Sequence, residues 1–213
     1  MARIDVNQLR NVAIIAHSGA GKTSLTEAIL FNAGAIERMG SVDAGTTTTD
    51  YEPEETSRKI TVSSSIAFCD WKGTRVNLID TPGFINFIED ARGCLRVSDG
   101  AVVIVSAISG VKAETEKIWK YACEFEIPRI VFINKMDKET ADFTMALSEI
   151  ERSFDSEPVP LTIPIGEGGG FRGVVDLVSR KAYIRENGDV KETAIPADMA
   201  AKADKYWKKL VER

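Results

Sequence analysis

Short, continuously apolar segments punctuate the chain, and amphipathic segments lie between them. The apolar segments are rich in β-branched residues and too short for helices: residues 12–16 (VAIIA), 101–105 (AVVIV) and 129–133 (RIVFI). Strands that are buried on both faces of a parallel sheet have this pattern. The amphipathic segments have the apolar spacing of helices: residues 22–33, 114–123 and 142–154. Strands that alternate with helices predict an α/β fold with a doubly wound, mostly parallel sheet.

One stretch has a different periodicity and predicts a β-hairpin at the edge of that sheet. Apolar residues alternate with polar ones over 60–68, and a second apolar run covers 75–79. Between them, Asp70-Trp71-Lys72-Gly73 is the expected turn, in which Gly73 supplies a permissive backbone. Residues 34–59, just before the hairpin, are polar, rich in Gly and Thr and without periodicity. Loops of that length are usually functional or mobile.

The chain changes character after residue 154. Prolines interrupt it, residues 173–185 alternate like a second hairpin, and residues 197–213 have the pattern of a charged amphipathic helix. We therefore expect a main α/β domain over residues 1–156 and the beginning of a smaller α+β part over residues 157–213.

The composition excludes several classes of protein. A net charge of −5 gives no basic surface that would indicate direct, sequence-specific binding of nucleic acid. Three cysteines without a CxxC spacing indicate free thiols in a reducing compartment. No apolar run reaches the length of a membrane span, and the start MARIDVNQLR lacks the apolar core of a signal peptide. We expect a cytoplasmic monomer that does not contact membranes.

The segment AHSGAGKT at 16–23 has the pattern of a phosphate-binding loop between a strand and a helix. Ala16 replaces the usual first glycine and is small enough for the loop to close. We expect Lys22 to bridge the β- and γ-phosphates of a nucleotide and the Thr23 hydroxyl to bind Mg²⁺. The structural alternative is a glycine-rich turn that caps a helix. The predicted nucleotide-binding residues of this loop are His17, Ser18, Gly19, Ala20, Gly21, Lys22, Thr23 and Ser24.

A second motif, Asp80-Thr81-Pro82-Gly83, ends the second strand of the predicted hairpin. The Mg²⁺-side carboxylate of a P-loop enzyme belongs at the end of a strand, so we expect Asp80 to bind Mg²⁺ through water. Gly83 has no side chain and can bring its N–H group close to the γ-phosphate. The structural alternative is a helix N-terminus with proline in its first turn.

A third motif, Asn134-Lys135-Met136-Asp137, follows the strand at 129–133 and predicts guanine as the base. The Asp137 carboxylate can accept two hydrogen bonds from guanine, whereas adenine would leave it unpaired. Asn134 would tie this loop to the phosphate loop, and Lys135 would cover the base. Ligands of open α/β sheets bind at the carboxyl ends of the strands, where all three motifs lie. The predicted cofactors are GTP or GDP and Mg²⁺.

Taken together, these motifs resemble the GTPase domain of bacterial elongation factor G. The similar segments are AHSGAGKTSLTEAIL, GSVDAGTTTTDYEPEE, RKITV, DTPGFINF, SAISGV and INKMD, in that order. The resemblance implies Mg²⁺-dependent GTP hydrolysis coupled to a conformational switch on the ribosome, with Thr61 reaching Mg²⁺ and the γ-phosphate. It also implies that residues 157–213 begin the insertion subdomain of that GTPase domain. Tetracycline-resistance ribosomal protection proteins are similar over the first part of the chain.

The chain departs from that family at the residue after DTPG. Translational GTPases usually carry a histidine there that positions the attacking water, and this chain has Phe84. The phosphate loop also has Gly19 where Asp is common, a pattern similar to divergent elongation factor G paralogues. Phe84 is interpreted either as a hydrophobic gate that leaves hydrolysis to the ribosome or as the mark of a switch that does not turn over. The predicted catalytic positions are Lys22, Thr61, Gly83 and Phe84.

Three alternatives to a working GTPase remain open from the sequence: an ATP-dependent P-loop kinase, a GTP-binding switch without hydrolysis and a structural remnant. Ser106-Ala107 resembles a guanine-contacting Ser-Ala motif, but it precedes the Asn-Lys-x-Asp motif and is rejected. The sequence shows no later candidate for that guanine loop. We therefore expect residues 1–213 alone to bind nucleotide weakly and the intact protein to act on the ribosome.

Overall fold

The computed structural model describes residues 5–212, and its elements alternate between strands and helices over the first two thirds of the chain. The strands are β1 (Leu9–Ile15), β2 (Ser65–Trp71), β3 (Thr74–Asp80), β4 (Gly100–Ser106), β5 (Arg129–Asn134), β6 (Thr162–Ile165), β7 (Gly173–Asp176), β8 (Lys181–Glu186) and β9 (Asp189–Thr193). The α-helices are α1 (Lys22–Asn32), α2 (Pro53–Arg58), α3 (Ile88–Leu95), α4 (Ala113–Glu124), α5 (Phe143–Phe154) and α6 (Ala197–Val211).

The first sheet has five strands in the order β2-β3-β1-β4-β5. β1 pairs in parallel with both β3 and β4, and β2 pairs antiparallel with β3. This confirms the predicted α/β fold with a mostly parallel sheet and a hairpin at its edge. The register places Ile14 of β1 opposite Asp80 of β3. Asp80 is therefore carried to the same edge of the sheet at which the phosphate loop leaves β1.

The centre of the sheet is buried as its apolar runs predict. Ala13, Ile14 and Ile15 of β1 have no exposed surface, and the middle of β4 is equally buried. Burying an aliphatic side chain of this size stabilises the fold by roughly 1.5–3 kcal/mol. β5 differs from the prediction, because Ile130 is 57% exposed and Phe132 is 41% exposed. β5 is the last strand of the sheet, and its side chains alternate between a covered and an exposed face.

The predicted hairpin forms, but its first strand begins later than residue 60. The turn has positive φ at both Lys72 and Gly73, which suits a tight connection between twisted strands. Residues 60–64 are not part of β2, because carboxylates bind their backbone N–H groups. The N–H groups of Val62 and Ser63 donate to Glu55 at 2.9 and 3.1 Å, and that of Ser64 donates to Asp90 at 2.7 Å.

The loop predicted over residues 34–59 contains a short helix, α2. Pro53 occupies its first turn, where a missing N–H group costs nothing. The Glu55 carboxylate accepts a hydrogen bond from the N–H group of Glu52, which closes the helix start as in a capping box. The helix spans less than two turns, too short for the apolar periodicity on which the sequence prediction depended.

The contacts divide the chain into two compact units: residues up to 105 with 112–134, and residues 106–111 with 135 onward. The second unit contains a four-stranded antiparallel sheet in the order β6-β7-β8-β9. Its strands β7 and β8 form the second predicted hairpin, in which Val175 lies opposite Ala182. The sequence-based division at residue 156 rests on composition and remains a prediction. Within residues 5–212, no helix is long and apolar enough to cross a membrane.

Candidate functional site

The phosphate-binding loop is the turn from β1 into α1. Gly21 caps the helix with φ +104°, a conformation that L side chains rarely adopt. A Cβ at Gly21 would also collide with the side-chain amide of Asn134, so the position requires glycine on both counts. Gly19 also has positive φ, but no atom would crowd its Cβ. Helix α1 begins at Lys22, directly after this loop. Its N-terminus carries a partial positive charge, which favours the binding of an anion.

Asn134 connects the end of β5 to this loop. Its side-chain N–H group donates to the carbonyl oxygen of Ala20 at 2.9 Å. The same amide blocks any side chain at Gly21. The first residue of the Asn-Lys-x-Asp motif thus fixes the shape of the phosphate loop through one backbone carbonyl.

Lys22 is buried, and its ammonium group donates to the backbone carbonyl oxygens of Ala16 at 3.3 Å and His17 at 3.1 Å. Burial lowers the pKa of Lys22 to about 8, and the negative charges of Asp80 and Asp50 oppose that shift. Carbonyl dipoles compensate a buried cation only in part. A phosphate group would supply the missing negative charge, so the residues present fit a nucleotide.

Asp80 is fully buried and only half satisfied. Its Oδ2 accepts a hydrogen bond from the Thr49 hydroxyl at 2.8 Å, whereas its buried Oδ1 has no hydrogen-bond partner. Burial raises the pKa of Asp80 to about 6, although the nearby Thr23 and Thr49 hydroxyls and the Lys22 charge act in the opposite direction. An unpaired buried carboxylate oxygen is costly. Water molecules on a hydrated Mg²⁺ would supply the donors that this oxygen lacks.

The hydroxyls of Thr23, in the first turn of α1, and Thr61, at the end of the long loop, lie together. Their Oγ1 atoms are 3.2 Å apart, and the Thr61 hydroxyl also donates to Asp50 at 2.8 Å. Neighbouring ligands of an octahedral Mg²⁺ at 2.0–2.1 Å are about 2.9 Å apart. The two hydroxyls therefore have nearly the separation of a ligand pair, and the donor set fits Mg²⁺.

Sequence reasoning missed Asp50 and Thr49. Both are buried in the long loop, and burial raises the pKa of the Asp50 carboxyl while the Thr61 hydroxyl opposes the shift. They end the run TTTTD, a polar segment without periodicity, so no pattern distinguished them from solvent-exposed loop residues. The available signal was an acidic residue directly after several hydroxyl residues in a loop already expected to reach the site.

Gly83 packs directly against the phosphate loop. A Cβ there would meet the Lys22 ammonium, the backbone nitrogen of Ser18 at 2.5 Å and the carbonyl carbon of His17 at 2.6 Å. The segment is held by Thr81, whose buried hydroxyl donates to the Ile14 carbonyl at 2.7 Å. Close backbone approach, rather than turn geometry, explains the glycine of DTPG.

Phe84, the next residue, is 39% exposed and has no polar side-chain atom with which to position a water molecule. Its ring borders a cavity of about 390 Å³ whose other apolar lining residues are Ile60, Val62 and Phe87. His17 lies in the loop itself and is buried. Its backbone N–H group donates to the Thr115 hydroxyl at 3.1 Å, and its Nδ1 lies 3.1 Å from the same oxygen.

The remaining predicted positions are more exposed or belong to the second unit. Ser18 is half-buried and Ser24 is exposed on α1. In the second unit, Lys135 has φ +64°, and Asp137 is exposed and pairs with Lys138 at 3.4 Å. The rejected Ser106 has a local role, since its hydroxyl oxygen accepts N–H groups of the following turn at 3.3 Å.

A comparison with protein families finds that the model of the elongation factor Tu GTP binding domain matches residues 7–211. The chain belongs to this family. It is 41% identical to elongation factor G of Thermotoga petrophila, over 99% of this chain and 31% of that protein. It is 43% identical to elongation factor G 2 of Borreliella burgdorferi, over 96% of this chain and 31% of that protein. The predicted resemblance to the elongation factor G GTPase domain is confirmed.

A solved structure gives the same result for the fold. A crystal structure of a protein from Thermus thermophilus superposes with a TM-score of 0.89 at 38% sequence identity, covering 96% of this chain and 31% of that one. The chain thus spans 31% of the length of the curated relatives described above.

Proposed function

We propose that this chain is the Mg²⁺-dependent GTP-binding and GTP-hydrolysing domain of an elongation factor G-like translation factor. The observation that carries the proposal is the buried charge arrangement at the phosphate loop. A lysine ammonium lies there beside a carboxylate with one unpartnered oxygen, and the Thr23 and Thr61 hydroxyls lie 3.2 Å apart. A magnesium-bound nucleotide phosphate would supply negative charge to the ammonium, water donors to the carboxylate and a cation to the two hydroxyls.

Each predicted residue has a defined task in this proposal. Lys22 neutralises charge on the β- and γ-phosphates, and the N–H groups at the start of α1 bind phosphate oxygens. Thr23 and Thr61 would hold Mg²⁺ directly, and Asp80 would hold it through water. Mg²⁺, when bound, neutralises charge on the phosphate oxygens during transfer. Gly83 approaches the γ-phosphate with its backbone N–H group.

Guanine selectivity comes from the Asn-Lys-x-Asp motif in this proposal. Asp137 accepts hydrogen bonds from the base, Lys135 covers it, and Asn134 shapes the phosphate loop through Ala20. An adenine nucleotide would leave the carboxylate unpaired, which costs on the order of 1–3 kcal/mol. We expect GDP to displace a fluorescent guanine nucleotide at least ten times more effectively than ADP. Equal displacement would instead favour an ATP-dependent enzyme.

Conformational switching follows from the contacts of Thr61 and Gly83. Both are expected to contact the γ-phosphate, and loss of that group would release them together with their loops. We propose that the intact protein is a cytoplasmic monomer that couples this switch to the ribosome. Translocation, ribosome recycling and ribosomal protection are the candidate steps.

A second candidate function is a GTP-binding switch that does not hydrolyse its nucleotide. Phe84 favours it, because a phenyl ring cannot accept or donate the hydrogen bond that positions an attacking water. Under the first proposal the same ring, beside Ile60 and Val62, is an apolar gate, and the ribosome supplies the catalytic group. Partner proteins accelerate hydrolysis by known GTPases by roughly 10³–10⁵-fold.

GTP hydrolysis by the intact protein, with and without ribosomes, distinguishes the two functions. The comparison uses the natural protein, Phe84→His and a control, Phe87→His, which changes a neighbouring ring of the same cavity. Stimulation of the natural protein by about 10³-fold or more supports a working translational GTPase. Stimulation of Phe84→His alone supports the switch. Absence of guanine nucleotide binding by the natural protein contradicts both.

A further inference from the structure

Glu27 of α1 is a fully buried carboxylate to which neither nucleotide nor Mg²⁺ is assigned above. Both of its oxygens accept backbone N–H groups from the long loop that follows the helix. Oε2 accepts from Gly40 at 2.7 Å, and Oε1 accepts from Thr48 at 2.5 Å. Hydrogen bonds to an ionised carboxylate are about twice as strong as neutral ones. One side chain therefore fixes two points of the loop to α1.

The segment between these two points is a closed turn. The N–H group of Thr46 donates to the Ser41 carbonyl at 3.1 Å, and the N–H group of Ser41 donates back to the Thr46 hydroxyl at 3.1 Å. A Cβ at Gly40 would overlap the Thr46 carbonyl oxygen and lie 2.7 Å from the Glu27 carboxylate. The turn is thus packed closely enough on Glu27 that Gly40 has no room for a side chain.

The second anchored residue leads straight into the candidate Mg²⁺ site. Thr48 is followed by Thr49, which donates to Asp80, and then by Asp50, which accepts from Thr61. Fixing the N–H group of Thr48 therefore fixes the backbone from which both site residues project. Glu27, Gly40 and Thr48 contact one another directly, so no nucleotide atom takes part in this anchor.

We propose that Glu27 is a positioning residue: it holds residues 40–48 on α1 whether or not nucleotide is bound, and so keeps Thr49 and Asp50 at the Mg²⁺ site. The inference rests on the proposed function. It implies that only the later part of the loop, up to Thr61, responds to the γ-phosphate, while residues 40–48 stay in place.

Limited trypsin digestion of the intact, nucleotide-free protein tests the anchor without any bound group. Arg38 is exposed and lies just before Gly40, whereas Arg58 and Lys59 lie at the far side of the anchored segment. Glu27→Gln places an amide N–H₂ against one of the two backbone N–H groups, so one hydrogen bond is lost. We expect cleavage after Arg38 to accelerate about tenfold. Asp43→Asn, at an exposed position of the same loop and away from the cleaved bond, is the control and should cleave like the natural protein.

A second readout separates positioning from a merely structural role. We expect Glu27→Gln to lower the ratio of affinities for a non-hydrolysable GTP analogue and GDP by about three- to tenfold, with GDP affinity nearly unchanged. Gly40→Ala changes the other partner of the contact, and it should likewise accelerate cleavage after Arg38 and lower this affinity ratio. Unchanged cleavage and an unchanged ratio in Glu27→Gln would overturn the inference, as would an equal loss of both affinities with a lower melting temperature. A natural protein that binds no guanine nucleotide contradicts the proposed function instead, and the nucleotide-free digestion still reports on the anchor.

Discussion

The phosphate loop and the long loop that ends at Thr61 reach the same candidate site by different physical means. The phosphate loop is short, and the ends of β1 and α1 determine its path. The long loop has no such frame, and buried carboxylates hold it instead. Glu27 binds Gly40 and Thr48 within the loop, and Glu55 binds Val62 and Ser63 directly after its end. The neighbouring strand and helix, with the neutral Asn134 amide, thus fix the phosphate loop, whereas carboxylate side chains fix the long loop.

The two groups of carboxylates also differ in how completely they are satisfied. Each oxygen of Glu27 and Glu55 accepts at least one backbone N–H group. Asp80, in contrast, leaves one oxygen unpartnered, and burial raises its pKa. The oxygens of Glu27 and Glu55 are all hydrogen-bonded to the backbone, whereas Asp80 has one oxygen that can still bind a ligand. Incomplete satisfaction of a buried charge therefore indicates where the ligand belongs.

Among the variants that test this difference between the two loops, we expect the largest effect from Lys22→Ala in the phosphate loop. It removes the buried ammonium that the proposal assigns to the β- and γ-phosphates, and hydrogen bonds to charged groups are worth roughly 1.5–3 kcal/mol each. We expect GDP affinity, measured by fluorescent nucleotide titration, to fall by about 100-fold or more. The nucleotide-free protein should lose little stability, because burial already disfavours that charge.

Lys120→Ala, which removes an exposed lysine of α4, is the matched control and should bind GDP normally. The tryptic pattern of the long loop should also stay unchanged in Lys22→Ala, because the Glu27 contacts do not involve Lys22. Equal GDP affinity in Lys22→Ala and the natural protein would contradict the assignment of the phosphate site.

The phosphate loop could be predicted from the sequence because its function depends on residue types at fixed spacing. Gly21, Lys22 and Thr23 form a contiguous pattern, and Asp80 ends a recognisable strand. The requirement for glycine at position 21 was also expected, but its cause, the Asn134 amide, depends on a tertiary contact. Local pattern therefore identified the residues, and the structure supplied the reason.

The long loop could not be predicted in the same way. The Glu27 carboxylate reaches Gly40 and Thr48, and no periodicity in the sequence relates a helix residue to such positions. The alternating pattern of residues 60–68 even suggested a strand that starts too early, because the competition of Glu55 and Asp90 for backbone N–H groups is invisible in the sequence. Side-chain-to-backbone contacts at long range are the part of the site that sequence patterns do not encode.

The next largest effect is expected from Asp80→Asn, and it should have opposite signs with and without ligand. The folded-state pKa of Asp80 is about 6, above the ordinary value of 3.8. The folded nucleotide-free protein then binds more protons than the unfolded chain between about pH 4 and 6, so its stability falls as the pH rises through that range. Two pKa units correspond to about 2–3 kcal/mol. Because Asn carries no charge, the stability of Asp80→Asn should not fall as the pH rises through this range.

We therefore expect nucleotide-free Asp80→Asn to be more stable than the natural protein above pH 6 and about equally stable near pH 4, as measured by urea unfolding at several pH values. The Mg²⁺ concentration needed to retain GDP should rise by about tenfold or more, because the carboxylate that holds the hydrated ion is gone. Asp43→Asn, at an exposed position of the long loop, is the control for both measurements. A destabilised nucleotide-free Asp80→Asn would refute the claim that this carboxylate is unsatisfied.

The smallest effect concerns Thr115, whose side chain supports the phosphate loop at His17. Thr115 of α4 is fully buried, and its hydroxyl binds both the backbone N–H group and the ring of His17. Thr115→Val keeps the shape but leaves the buried N–H group without that acceptor, which costs roughly 1–3 kcal/mol. We expect GDP affinity to fall several-fold and the digestion rate after Arg38 to stay unchanged, because that segment depends on Glu27. Thr115→Ser retains the hydroxyl and should restore binding. If Thr115→Val instead accelerates cleavage after Arg38, the two loops are coupled, and their separation into a backbone-framed and a carboxylate-held loop is wrong.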